Sequence, residues 1–303
     1  MNTDRKRSSL GALAQGALGG LQWRLALLWI LVTLLPAAVV ALPLWRVLDG
    51  LLGHSVHADA WASHFDGLMF GDTWTALTTD NPWTGMALVA GTLVTLVFAP
   101  FLAGMVVAGG RANRALGFGG LLQGGATEYG RMLRLGILAL IPYGLFIAAA
   151  YGVTSLADDR VETSLLASRA EMYEHGALAV AVLLFVVAQA IVESARAQFI
   201  ADIGLRSAFV ALGRGFVQCL RRPFATLFVY LVITLVGSVL LVTIASWRGH
   251  TTATGSGFWT GFLIVQIGVI VTAWMRTARL LALAGLAAIS PHRRRRTDFA
   301  PAL

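Results

Sequence analysis

IGLRSAFVALGRGFVQCLRRPFATLFVYLVITLVGSVLLVTIAS, residues 203–246, carries the reading of the whole chain. Its second half, 224–246, contains no Asp, Glu, Lys, Arg or His. A hydrocarbon core about 30 Å thick is crossed by about 20 residues of helix. Backbone amides in lipid must pair within their own segment, so this stretch is a membrane helix rather than a loop. Pro223 stands where proline suits a first helical turn. In the first half, Leu205, Phe209, Leu212, Phe216 and Leu220 step by three or four and share one helical face. Arg206, Arg214, Arg221 and Arg222 reach from that helix toward headgroups. Two readings follow: a helix lying in the membrane plane against anionic lipid, or one that only packs beneath the bundle.

Working outward, five more apolar stretches resemble 224–246. The predicted spans are 25–45, 86–108, 135–156, 177–192, 224–246 and 258–278. The fourth is short and continues into Glu193 and Arg196 at the boundary, where arginine can snorkel. Composition agrees. The 303 residues are 57% hydrophobic and 13% charged, against roughly 45–50% and 25% in soluble domains. Mean hydropathy is +0.74. A disordered chain, a disulfide scaffold and an ordinary soluble enzyme are excluded. Cys219 is the one cysteine, so no intrachain disulfide forms. It reads as a small interfacial residue, since a reactive thiol needs a histidine or second thiol beside it.

Charge orients the spans. With the N-terminus inside, the inner segments hold 19 basic and 5 acidic residues, and the outer segments 4 and 10. The inside is then +14 and the outside −6 by formal charge, as the positive-inside rule requires. Both termini are expected in the cytoplasm. The Arg5-Lys6-Arg7 start fits a cleaved leader, but the apolar run from Leu25 lasts about 20 residues, longer than the 7–15 of a signal core. A retained first span is expected. The predicted layout is a cytoplasmic segment 1–24 with an amphipathic helix, a six-span domain 25–280 with an outer loop at 46–85, and a basic tail 281–303.

The segments before spans one, three and five resemble one another. Each is rich in small residues (around Gly16, Gly125 and Gly215) and is followed by Leu and Arg (Leu21 and Arg24, Leu133 and Arg134, Leu220 and Arg221). Either an amphipathic helix plus a helical hairpin is repeated three times, or common residues coincide.

Sites for chemistry are sparse. No ionisable group is expected near the centre of a span, which argues against a proton- or sodium-coupled pump. The deepest polar candidates are Gln189 and Glu193, four apart on one face, with Gln266 or Arg276 as partners across the bundle. Pro36, Pro43, Pro100 and Pro142 fall in or near spans, where prolines are common. The outer loop carries His54, His57, Asp59, His64 and Asp66. Their spacing matches no closed zinc pattern, and Trp61, Trp74 and Trp83 suit interfacial anchors instead. No metal or cofactor is expected. Neither a Walker loop nor a Gly-x-Ser-x-Gly elbow occurs. The tail arginines 293–296 read as topology and lipid contacts rather than nucleic-acid ligands.

The run Arg206-Ser207-Ala208-Phe209, Gly213-Arg214-Gly215 and Leu220-Arg221-Arg222-Pro223-Phe224, with a looser echo at 131–142, resembles six-span bacterial inner-membrane proteins. These include the membrane domain attached to some glycerophosphodiester phosphodiesterases. The resemblance implies an inner-membrane helical bundle and brings no catalytic residue with it. The expectation is an all-α, six-span bundle with amphipathic cytoplasmic helices, non-enzymatic, in contact with anionic lipid, an envelope protein partner or another copy of itself. The alternative is a permease for a lipid-like or apolar solute, which requires a continuous cavity past Gln189 and Gln266.

Overall fold

The computed structural model describes residues 2–57, 60, 67–80, 82–112, 115–164, 166–251 and 256–288. Among these the chain is helical, with no strand. The helices are α1 (Asn2–Gly19), α2 (Trp23–Leu52), α3 (Gly67–Thr75, running into a π turn at Ala76–Asp80) and α4 (Pro82–Arg111). They continue with α5 (Phe118–Leu138), α6 (Leu140–Glu162), α7 (Ala167–Ala201), α8 (Ala208–Arg221), α9 (Pro223–Gly249) and α10 (Ser256–Ala288). Six stretches are long and apolar enough to cross a membrane, with α5 and α6 counted as one. The chain is an all-α polytopic bundle.

Local sequence explains the boundaries. Pro223 opens α9 at its first turn. Ser207 caps α8, its hydroxyl accepting from the Val210 amide at 3.4 Å. The fourth span is not short: α7 runs for 35 residues and carries Glu193 and Arg196 inside it. The sixth also runs long. Residues 281–288 are Leu, Ala and Gly, and they stay helical because Ala282, Leu283, Ala284 and Leu286 bury against α1 and its neighbours. Residue 280 is therefore not where a tail begins. In the outer loop α2 extends to Leu52. Trp61, expected as an interfacial anchor, lies outside the described residues.

The architecture repeats three times. Helices α2/α4, α6/α7 and α9/α10 form hairpins. Each is preceded by a shorter helix, α1, α5 or α8, that docks on the second helix of the hairpin before it. Helix α5 lies on α4, α8 lies on α7, and α1 closes the circle on α10. Of the two readings of the small-residue segments, the packing follows the repeat. A glycine lies at each crossing. A Cβ on Gly215 would stand 2.6 Å from the Ala195 nitrogen and 2.8 Å from the Ile191 oxygen, so only glycine lets α8 approach α7 this closely. Gly16 meets Ala278 and Ala282 of α10 in the same way, and Gly125 meets Phe101 and Met105 of α4.

The core sits at the end of the bundle where these three helices lie. Its clusters centre on Trp29, Met105 and Leu121; on Val107, Leu135 and Phe199; and on Val229, Ala278 and Leu283. Toward the opposite end the hairpins are poorly buried, and α6 contributes no buried residue. Large apolar side chains such as Leu31, Leu42, Leu93, Leu145, Leu183 and Val239 remain exposed along the spans. A lipid solvent makes such exposure favourable, and water does not.

Candidate functional site

Helix α8 shows how the arginine-rich end is built. Its docking face is made of small and polar residues: Ala208, Ala211, Gly215 and Gln218 are buried. The large residues that give the helix its amphipathic pattern point elsewhere. Phe209 is 69% exposed, Phe216 52% and Leu220 70%. Three of the five pattern residues thus turn away from the protein, while Leu212 is half-buried against the core. Leu205 alone of that set is buried, just ahead of the helix. At 3.6 residues per turn, Arg214 and Arg221 lie on the side of α8 that borders Phe209 and Leu220, and Arg206 stands just ahead of the helix. All three are exposed, and Arg222 is half-buried. Arg214 also donates to Asp202 at 2.8 Å. That pair is solvent-accessible and contributes little stability. The other docked helices keep apolar side chains outward too: Leu10 and Leu18 on α1, Leu122 and Leu133 on α5.

Polar side chains tie the docked helices down from within. On α5, Glu128 is buried and accepts from Arg111 at 2.5 Å and from Arg131 at 2.9 Å. Arg111 also donates to the Phe199 carbonyl at 2.7 Å, joining α4, α5 and α7. On α8, Gln218 accepts from Gln198 at 2.7 Å and donates to the Leu283 carbonyl at 3.3 Å, joining α7 and α10. On α1, the Ala17 carbonyl accepts from the Trp274 indole at 2.9 Å. Cys219 lies beside this seam, with Sγ 3.8 Å from the Ser194 hydroxyl. Burial pushes its thiol pKa up and outweighs the opposing effect of the Ser194 contact. A thiol so placed is a poor nucleophile at neutral pH, in line with the reading of an inert interfacial residue.

The intramembrane candidates sort differently from the expected pairings. Gln189 accepts from the Tyr143 hydroxyl at 3.0 Å. Glu193 accepts from Arg279 at 2.9 Å, not from Arg276 or Gln266. Arg279 donates as well to Thr234 at 3.1 Å and lies 5.0 Å above the Tyr230 ring. Glu193 and Arg279 side chains are only 5% and 8% exposed. Thr234 lies eleven residues past Pro223, roughly 16 Å along the helix. Glu193 and Arg279 thus form a neutralised ion pair among α7, α9 and α10. By hydropathy the sixth span ends at Ala278, which leaves Arg279 beyond it. The signal that could have found it is the apolar run resuming at Leu280. The Gln266 side-chain oxygen is buried without a partner.

Arg276 faces the other way. Its guanidinium lies 5.6 Å from the Trp29 ring centre. Among the described residues no carboxylate pairs with it. It stands at one end of a cavity of about 360 Å³ between the first and third hairpins. Neither Gln189 nor Gln266 lines that space. Among the described residues no three His, Cys, Asp or Glu side chains gather as a metal site. Asp59, His64 and Asp66 of the outer loop lie outside the described residues. No protein-family model, curated protein or solved structure matches this chain.

Proposed function

We propose that this is a non-enzymatic protein of a bacterial inner membrane whose arginine-rich end faces the cytoplasm and binds anionic lipid headgroups. The observation that carries this reading is α8. Its Phe209, Phe216 and Leu220 are uncovered by protein and bordered by Arg214 and Arg221, with Arg206 exposed just ahead of the helix. A helix with that layout buries its apolar face at the acyl boundary and sets its guanidinium groups among phosphates. The outward leucines of α1 and α5 extend the same surface. The excess of basic residues at this end, which remains when Arg276 and Arg279 are left out, supports the orientation.

The test is lipid analysis of the full-length protein purified in detergent from a bilayer of phosphatidylglycerol and phosphatidylethanolamine. Phosphatidylglycerol is expected to be enriched over the bulk ratio. Changing Arg206, Arg221 and Arg222 to Gln is expected to remove most of that enrichment. Co-purified lipid in the bulk ratio, unaltered by the substitutions, refutes the reading. Reporter fusions at each terminus test the orientation, and a reporter active outside overturns it.

A further inference from the structure

The cavity beside Arg276 has a polarity that the lipid-facing surface lacks. Its walls are Trp29, Pro36, Phe98, Leu102, Leu241 and Val269, with three threonines among them. The threonine hydroxyls are already used. Thr33 donates to the Trp29 carbonyl at 2.7 Å, Thr95 to Gly91 at 2.8 Å and Thr272 to Gly268 at 2.9 Å. What remains is an apolar slot with one cation at its end. Arg276 sits on the side nearer the arginine-rich end, level with Trp29 and Leu102. From there the slot runs past Val269 to Val265, roughly 16 Å by helix rise. Thr95 and Val265 are exposed, so the slot opens on the flank of the bundle.

The charges around it do not cancel Arg276. Glu193 is engaged by Arg279, and Glu128 is shared by Arg111 and Arg131. A guanidinium among apolar walls within a membrane is costly unless an anion meets it. It binds phosphate through a planar fork of N–H donors. The buried Trp29 indole N–H has no acceptor in the protein either. About 360 Å³ lies within the usual range of small-ligand sites, roughly 300–1,000 Å³.

We infer that the slot holds one anionic phospholipid of the surrounding leaflet, its phosphate on Arg276 and one acyl chain along α2, α4 and α10. The inference extends the proposed lipid contact of this end from its surface to an internal site, and rests on that reading for the side from which the lipid enters.

The experiment uses the full-length protein in nanodiscs containing a phosphatidic acid with a mid-chain diazirine, irradiated and mapped by peptide mass spectrometry. Adducts are expected on the slot walls, and Arg276→Gln is expected to lower them about tenfold or more, as for loss of a charged hydrogen bond. Gly268→Leu tests the same point without touching the charge, because a Cβ there meets Leu241 and Ile244 at ordinary distances of 3.8 and 3.7 Å. It fills the slot and is expected to suppress the adducts equally. A diacylglycerol with the same chain is expected to label the slot only at background, and millimolar inorganic phosphate is expected not to compete. Adducts spread evenly over the lipid-facing surface, insensitivity to both substitutions, or equal labelling by the diacylglycerol overturns the inference. Displacement by inorganic phosphate overturns it in favour of a free-anion site. The Arg206/Arg221/Arg222→Gln variant separates the two proposals. Slot adducts that persist while headgroup enrichment is absent refute the surface alone. Enrichment that depends on those arginines, with slot adducts indifferent to Arg276, refutes the slot alone.

Discussion

Arg279→Met isolates the most deeply buried ion pair among the described residues. It removes the bond to Glu193, the bond to Thr234 and the stacking over Tyr230. What it leaves is a carboxylate 5% exposed, so solvent offers little relief. Breaking a buried pair on one side costs about 3–5 kcal/mol in soluble proteins. Hydrogen bonds between membrane helices are weaker, about 0.6–2 kcal/mol, because the unfolded chain in the bilayer finds other partners. The stranded group here is a charge, so the first figure governs and the second trims it, to about 3 kcal/mol. Glu193→Leu with Arg279→Met removes both charges and is expected to cost about 1 kcal/mol, less than the single change. Equilibrium unfolding in mixed detergent and SDS micelles measures both, with Glu193→Leu completing the double-mutant cycle. If the double variant loses the sum of the two single losses, the groups are not coupled and the argument fails.

Three other outcomes follow from the packing. Gly215→Val forces α8 off the Ala195 and Ile191 backbone and is expected to destabilise by about 1–3 kcal/mol. Gly213→Ala meets open space two residues away and is expected to stabilise by up to about 1 kcal/mol through helix propensity; equal effects in the same unfolding assay would contradict the docking. Cys219, with its thiol pKa raised, is expected to react slowly with a membrane-permeant maleimide at pH 7 and faster as pH rises beyond the range where ordinary thiols have levelled off; a rate that plateaus near pH 8 counts against burial. Arg111→Met leaves Glu128 with Arg131 alone and severs the bond to Phe199; trypsin is expected to cut after Arg131 and Arg134 faster than in the unaltered protein, and equal cleavage kinetics refute the tie.

What was legible in the sequence was set by solvent. Apolar runs such as 224–246 need only length and composition to be read as spans, and six helices follow. The three docked helices were visible as small-residue segments around Gly16, Gly125 and Gly215, though not which hairpin each would choose, since that depends on contacts far apart in the chain. The apolar face of α8 is legible in the sequence, which leaves its direction open between lipid and the bundle. Periodicity marks where Phe209 and Leu220 cluster, and in a membrane the large apolar face seeks lipid while Ala211 and Gly215 seek the protein. Arg279 was misplaced because hydropathy counts a buried, paired arginine as a boundary. Arg276, named from sequence as a polar partner, faces the slot instead.

The ring of docked helices also sets an order of assembly. The Trp274 indole grips the Ala17 carbonyl across 257 residues of chain. During synthesis at about 5–20 residues per second, the first helix therefore waits on the order of ten to fifty seconds for its seat to be made. Until the last hairpin inserts, Gly16 and its apolar neighbours have no protein surface to rest on. Helix α1 is made before the hairpins and locked after them, so a product that stalls ahead of Trp274 presents an unclosed bundle.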